Sequence, residues 1–334
     1  MKINIANFIL TRKCNLHCDY CRISGDINYI VKPREYPDGK DYFKNEKDVS
    51  FWISISDKLY EQNKDVFIIL YGGEPLLYPD LDKLVKHLKD KEIAYTIISN
   101  CTEEVQPKII ELFNKVGKLK GFTASVDPGF WLLETDDEAK KSRAGVDFLK
   151  KVIELGISDD PVAEITVDNN NIQYLVESVK LLDEMGICSD ITVLCPARTN
   201  YYDFSSITNE SLLVNPDMRT KEIFHKLINS DYNIHMKKTL LPEIFKILPA
   251  ELFCEMPKNL DNITIDADGK LRLCLRIRGR GVPSFSAEEF FSEDSKTKDE
   301  VLESYRLDYS TLCNGCSWTC KLMSTLEIKD VLNH

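Results

Sequence analysis

The sequence predicts an α/β protein: a partial (β/α)6 TIM-like barrel over residues 1–200, followed by a small α+β domain over residues 201–334. Six period-2 or apolar runs, the last ending at Leu194, alternate with helical patterns, and strands joined by helical crossovers call for a parallel sheet. Pattern alone fits an open doubly wound sheet as well as a barrel lacking some strands. The motifs decide for the barrel, because they cluster at strand C-termini, the functional face of that architecture. Near Asn200 the rhythm breaks and a hairpin pattern takes over.

Taken in order, Ile3 to Leu10 reads as a strand and Glu46 to Gln62 as a helix. Val66 to Tyr71 is strand, Asp80 to Lys91 helix, Ala94 to Ser99 strand, and Glu103 to Val116 helix. Gly121 to Val126, Val162 to Val167 and Asp190 to Leu194 supply the remaining strands. Asp137 to Leu155 and Ile172 to Met185 are the helices between them. Tyr201 to Met218 is polar and irregular, and two short helices follow, Arg219 to Asn229 and Leu241 to Leu248. From Ile263 an alternating run crosses an Asp268-Gly269 turn, a hairpin signal. Ser284 to Thr297 is polar and reads as a surface loop.

The chain has 334 residues, 43% of them hydrophobic and 29% charged, which is enough apolar material for a substantial core. No run approaches the ~20 apolar residues of a membrane span, and Met1 to Leu10 lacks the features of a secretory signal. A cytoplasmic protein is expected. The net charge of −11, with its basic residues scattered, argues against nucleic acid as a main partner. Eleven cysteines are many for a reducing compartment. Cys101, Cys188 and Cys195 lie in apolar or element-end contexts that suit structural thiols. The other eight fall into two closely spaced groups, which points to metal or cluster ligation.

Cys14, Cys18 and Cys21 form C-x3-C-x2-C directly after the first strand. Three thiolates this close suit a loop wrapped around a compact inorganic centre. Zinc would need a fourth ligand, for which His17 is awkwardly placed. Three cysteines on a 4Fe–4S cluster would leave one iron open to a substrate. The segment Cys14-Asn15-Leu16-His17-Cys18-Asp19-Tyr20-Cys21 resembles the signature of the radical S-adenosylmethionine (SAM) superfamily, including Tyr20 before the third cysteine. The resemblance implies that the methionine moiety of SAM chelates the open iron and that reductive cleavage yields a 5′-deoxyadenosyl radical. That radical then takes hydrogen from substrate. A reductant protein such as flavodoxin or ferredoxin is implied as partner.

After the second strand, Tyr71-Gly72-Gly73-Glu74-Pro75 resembles the family's GGE motif, whose backbone and acid hold the methionine amino group. Glycines let backbone approach a ligand closely, and Glu74 can accept from an ammonium. Further strand ends carry Ser99-Asn100, Ser125-Val126-Asp127 and Thr166-Val167-Asp168. Such groups suit binding of ribose, carboxylate or substrate, or simply cap the next helix. Ser99 and Ser125 match cofactor-contacting positions in relatives. Arg143 resembles a carboxylate-binding arginine in some relatives, or is a solvated helix residue. Arg22 to Asn45, with Tyr29, Tyr36 and Tyr42, is a long polar insertion that reads as a lid or a surface loop.

The second group is Cys254, Cys274, Cys313, Cys316 and Cys320. Its C-x14-G-x4-C followed by C-x2-C resembles the twitch or SPASM extension, which carries auxiliary 4Fe–4S clusters; structural zinc is the alternative. Five cysteines are too few for two fully ligated clusters, so one is expected, with Cys254, Cys274, Cys313 and Cys316 as family-matching ligands. Sulfatase-maturing relatives carry an acid where this chain has Leu275. GTP cyclases of the molybdopterin pathway share the Asp268 to Cys274 flavour but have C-x2-C where this chain has Cys254 alone. Peptide-modifying maturases often begin with a recognition domain. The expected activity is hydrogen abstraction from a small polar, sugar- or nucleotide-like metabolite. Arg272, Arg276, Arg278 and Arg280 would suit an anionic one. The alternatives are a peptide- or protein-modifying maturase and, from another class, an iron–sulfur electron carrier or zinc-stabilised binding module.

Overall fold

The computed structural model describes residues 3–16, 18, 45–132, 137–194, 210–212, 214–215, 217–235, 262–272 and 285–292. Its elements run β1 (Ile5–Ile9), α1 (Val49–Gln62), β2 (Phe67–Tyr71), α2 (Leu81–Asp90), β3 (Ala94–Ser99), α3 (Gln106–Val116), β4 (Leu119–Val126), α4 (Asp137–Glu154) and β5 (Ser158–Val167). They continue with α5 (Leu175–Glu184), β6 (Cys188–Val193), α6 (Met218–Ile228), β7 (Asn262–Ile265), β8 (Lys270–Arg272), β9 (Phe285–Ser286) and α7 (Ala287–Phe290). The chain forms two compact units. One holds β1 to α2, most of β3, and β7 to α7; the other holds α3 to α6.

In the first unit β1 lies between two parallel partners, β2 (Ile5 beside Phe67) and β7 (Ile5 beside Asn262), and β3 joins β2 in parallel. Alternation along β1 and β2 buries Ala6, Phe8, Ile68 and Leu70. Phe8 stacks at 4.9 Å on Trp52 of α1, which is fully buried. Helix α1 starts three residues later than the periodicity predicts. Asp48 caps it by accepting from the Phe51 amide at 3.1 Å. Residues 46 and 47 are used otherwise: the Lys47 amide donates to the Ala267 carbonyl, and Glu46 reaches back to β1's end.

Strands β7 and β8 form the expected hairpin, with Thr264 opposite Arg272 and Gly269 left-handed in the turn. This hairpin joins the sheet through β1. The surface loop expected at Ser284 to Thr297 is corrected in its described part, because β9 pairs with β8 and α7 buries Ala287 and Phe290 completely. Only Ala287, Phe290 and Phe291 are buried apolar positions among the described residues there, too few for periodicity to register. The helix predicted at Leu241 to Leu248 lies outside the described residues.

In the second unit β4, β5 and β6 are parallel, with Ser125 beside Glu164 and Glu164 beside Asp190. Phe122 meets Phe148 of α4, so the side of the sheet carrying Phe122, Ala124 and Val126 is the helix-covered, buried one. The single helix expected from Ile172 to Met185 is split into a 3-10 turn, Ile172–Tyr174, and α5. Helix α3 starts at Gln106 rather than Glu103, with Pro107 in its first turn, where a missing amide costs nothing.

Candidate active site

The cysteine loop grows directly out of β1. Cys14 and Cys18 are both half-buried. Cys14 Sγ accepts from the Leu16 amide at 3.4 Å. Cys21 and Tyr20 lie outside the described residues.

The start of this loop is stitched to the end of β2. The Leu10 amide donates to the Tyr71 carbonyl at 2.9 Å, Gly73 to Thr11 at 2.8 Å, and Glu74 to Lys13 at 2.8 Å. Such a close approach explains the glycines. A Cβ on Gly72 would overlap the Thr11 carbonyl, and one on Gly73 the carbonyls of Lys13 and Arg12. Gly72 also has φ +152°. The sequence suggests that these glycines admit a ligand; in the structure they also admit the cysteine loop's own backbone. Glu74 is fully buried, and its Oε1 accepts from the Leu76 amide at 3.1 Å.

On its other flank the loop is held by acids that spacing did not reveal. Glu46 Oε1 accepts from the Thr11 hydroxyl and the Arg12 amide, each at 2.9 Å. The Arg12 guanidinium is 1% exposed and Asp266 0%. Arg12 Nε donates to Asp266 Oδ1 at 3.0 Å, and a terminal nitrogen pairs with Oδ2.

In the second unit the predicted polar residues divide by use. Ser99 Oγ accepts from the Cys101 amide and Asn100 Oδ1 from the Thr102 amide, each at 3.1 Å. Asp127 is buried, and its amide donates to the Ser142 hydroxyl at 2.9 Å. Asp168 Oδ1 accepts from the amides of Asn170 and Asn171, so it organises the turn ahead of α5. Arg143 pairs with Asp147 on its own helix at 3.1 Å and is more than a third exposed. Of the structural thiols, Cys101 is buried, and burial, with Asp160 and Asp190 adding to it, pushes Cys188 up to about 11. Cys195 lies outside the described residues.

Ser125 and Thr166 belong to a row on the side of the sheet away from α4. There Glu164 sits beside Ser125 and Asp190, and Thr166 beside Thr192. The Thr192 hydroxyl donates to Glu164 Oε1 at 3.3 Å. Burial raises Glu164 to about 7, with the Asp190 carboxylate adding to the rise. His235 Nδ1 lies 3.9 Å from Asp190 Oδ2, and the nearby carboxylate raises the histidine's pKa. Glu164 and Asp190 escaped the sequence reading because both fall inside strands predicted only for their apolar partners. Strand alternation among polar residues was the available signal.

Cys254, Cys274, Cys313, Cys316 and Cys320 lie outside the described residues, as do Arg276, Arg278 and Arg280. Arg272 is the last residue of β8.

A Radical SAM superfamily profile matches residues 8–200, more than half of the chain, and the chain belongs to that superfamily. It is 28% identical to an uncharacterised protein of Methanocaldococcus jannaschii, over 81% of this chain and 84% of that one. It is 23% identical to a protein of the same organism named as a probable GTP 3′,8-cyclase, over 82% and 85%. The solved structure of Streptococcus suis SuiB bound to S-adenosylmethionine matches 91% of this chain and 68% of that one, with a TM-score of 0.58 at 15% identity. That likeness concerns the fold, and the fold class is the expected partial barrel of α/β type.

The protein is therefore a radical SAM enzyme, with a 4Fe–4S cluster and SAM as cofactors. The described residues fit that cluster: two half-buried thiols stand on an irregular loop, one of them receiving an amide N–H, a contact that tunes cluster sulfur ligands. Among the described residues no helix is long and apolar enough to cross a membrane.

Proposed function

We propose that this enzyme abstracts hydrogen from a small polar metabolite, sugar- or nucleotide-like, and that it works in the cytoplasm with a flavodoxin or ferredoxin as reductant. The observation that carries this reading is the polar row of Ser125, Glu164, Thr166, Asp190 and Thr192 on one side of the β4–β6 sheet. Hydroxyls and carboxylates at adjacent register positions match a ligand rich in hydroxyl groups. With a pKa near 7, Glu164 is suited to take a proton from a substrate hydroxyl at Oε1 as the substrate is oxidised or dehydrated. The likeness to a probable GTP 3′,8-cyclase supports a nucleotide-like substrate.

Cys14, Cys18 and Cys21 would hold the cluster that, when bound, supplies the electron for SAM cleavage. Of this chain's other residues, Tyr20, Gly72, Gly73, Glu74, Ser99, Asn100, Ser125, Asp127, Arg143 and Thr166 are our candidates for SAM contact. The hydrogen bonds of Ser99, Asn100 and Arg143 would then also set the direction of those groups. Residues 1–200 would form the catalytic barrel and 201–334 the auxiliary domain. There, four of Cys254, Cys274, Cys313, Cys316 and Cys320 would ligate one further 4Fe–4S cluster. A peptide substrate is the second reading, favoured by the likeness to SuiB, which has also been solved bound to its precursor peptide SuiA.

Anaerobically reconstituted protein with dithionite should release 5′-deoxyadenosine from SAM, and Cys18→Ala should abolish the release. Nucleotides and sugar alcohols should accelerate it in wild type. Acceleration by peptides alone would favour the second reading, and no 5′-deoxyadenosine from iron-loaded protein would defeat both. About eight irons per chain in wild type and about four in the Cys14/Cys18/Cys21→Ala variant would support two clusters. Zinc with about four irons would make the second site structural.

A further inference from the structure

Burying a guanidinium and a carboxylate together is seldom the most stable solution, because both ions give up water and a well-packed apolar pair often does as well. Arg12 and Asp266 are nevertheless the ion pair most completely enclosed among the described residues, at 1% and 0% exposure. They are 254 residues apart in sequence, and Arg12 stands two residues before Cys14. Asp266 is itself tightly fixed. Its amide donates to the Lys270 carbonyl at 2.9 Å, its carbonyl accepts from Gly269 at 2.8 Å, and its Oδ1 also accepts from the Ala267 amide at 2.8 Å. The next carbonyl, Ala267, accepts from Lys47 beside Glu46. The turn of the β7–β8 hairpin and the Glu46–Lys47 segment thus grip the same few residues of the cysteine loop that Gly73 and Glu74 hold from the opposite flank.

We propose that Arg12 and Asp266 are positioning residues for the SAM-binding cluster: a planar, two-point clamp by which the C-terminal hairpin sets the path of the cysteine loop. The fork of a guanidinium fixes both distance and plane, which a single contact between apolar groups does not. The hairpin is then a working part of the first cluster's site, whatever its role toward Cys274. This rests on Cys14, Cys18 and Cys21 ligating the cluster.

The experiment uses the full chain as wild type, Arg12→Lys, and the apolar double variant Arg12→Met/Asp266→Leu. Three quantities are read: thermal midpoint of the apo chain, rate of iron loss to a chelator, and the reduced EPR signal with and without SAM. A fourth, limited trypsin cleavage after Lys13 in the apo chain, does not depend on the cluster. We expect the double variant to fold with a midpoint near wild type, yet to lose the SAM-responsive signal and to be cut after Lys13 at least tenfold faster. Arg12→Lys keeps the charge without the fork, and it should release iron several-fold faster than wild type while remaining folded. Wild-type iron retention, SAM response and trypsin resistance in either folded variant would overturn the clamp. Failure of wild type itself to show a SAM-responsive signal would count against the cluster reading, and the trypsin comparison would still judge the clamp.

Discussion

Glu164→Gln gives the sharpest test of the polar row in the second unit. In the folded chain burial holds this carboxyl up to about 7, with Asp190 beside it. An unfolded chain gives glutamate its ordinary value, about 4.3. Because the folded value is the higher one, folding disfavours the ionised form. Stability is therefore greatest below the ordinary value and falls as pH rises through the interval toward 7. Each pH unit of that interval is worth about 1.4 kcal/mol, so ionised Glu164 costs the fold about 3–4 kcal/mol by about pH 8. The glutamine variant carries no such cost. Chemical denaturation of both proteins at about pH 4 and about pH 8 should show the variant gaining by about 3–4 kcal/mol relative to wild type over that range. A difference independent of pH would mean that Glu164 is an ordinary solvated carboxylate, and the proton-accepting role would go with it.

Asp190→Asn should lower the pKa of both His235 and Glu164, since Asp190 raises each; NMR titration of the histidine ring and the glutamate carbonyl reads this directly. Gly73→Ala pushes a Cβ into the Lys13 carbonyl and should strip the Glu74 amide of its partner. A loss of about 1–3 kcal/mol in unfolding and reduced iron loading are expected; an unchanged iron content would show that the loop tolerates displacement. Phe290→Ala should cost about 3–5 kcal/mol by urea unfolding if the short helix after β9 is core. Arg143→Ala removes an exposed pair one helical turn apart and should change stability by less than about 0.5 kcal/mol. A marked loss of SAM affinity with unchanged stability would instead give Arg143 the carboxylate-binding role.

Much of the fold was legible because strands such as Phe67–Tyr71 and Ala94–Ser99 carry their partnering in a period of two, and α2 its buried stripe of Leu84, Val85 and Leu88. The Asp268-Gly269 turn was equally plain, since a left-handed φ favours glycine. Boundaries moved where tertiary contacts claimed residues the pattern had given to a helix, as with Glu46 and Lys47. The cysteine and glycine motifs announced their chemistry but not their mechanics. That Gly72 and Gly73 serve the loop's backbone appears only once β1 and β2 lie side by side. Arg12 and Asp266 follow no spacing rule at all, because a contact across 254 residues leaves no local trace.

The position of β1 between β2 and β7 has a consequence for how the enzyme is made. One edge of β1 can be covered as soon as β2 emerges, but the other waits for residues 262–265. At roughly 5–20 residues per second of synthesis, that interval is on the order of ten to forty seconds. Throughout it the nascent chain presents an open strand edge, with its cysteine loop tethered on one flank only. Iron delivery to this protein is then a late event, best timed to the near-complete chain, and a ribosome stalled before the hairpin would display thiols that are accessible to oxidants and unable to keep a metal.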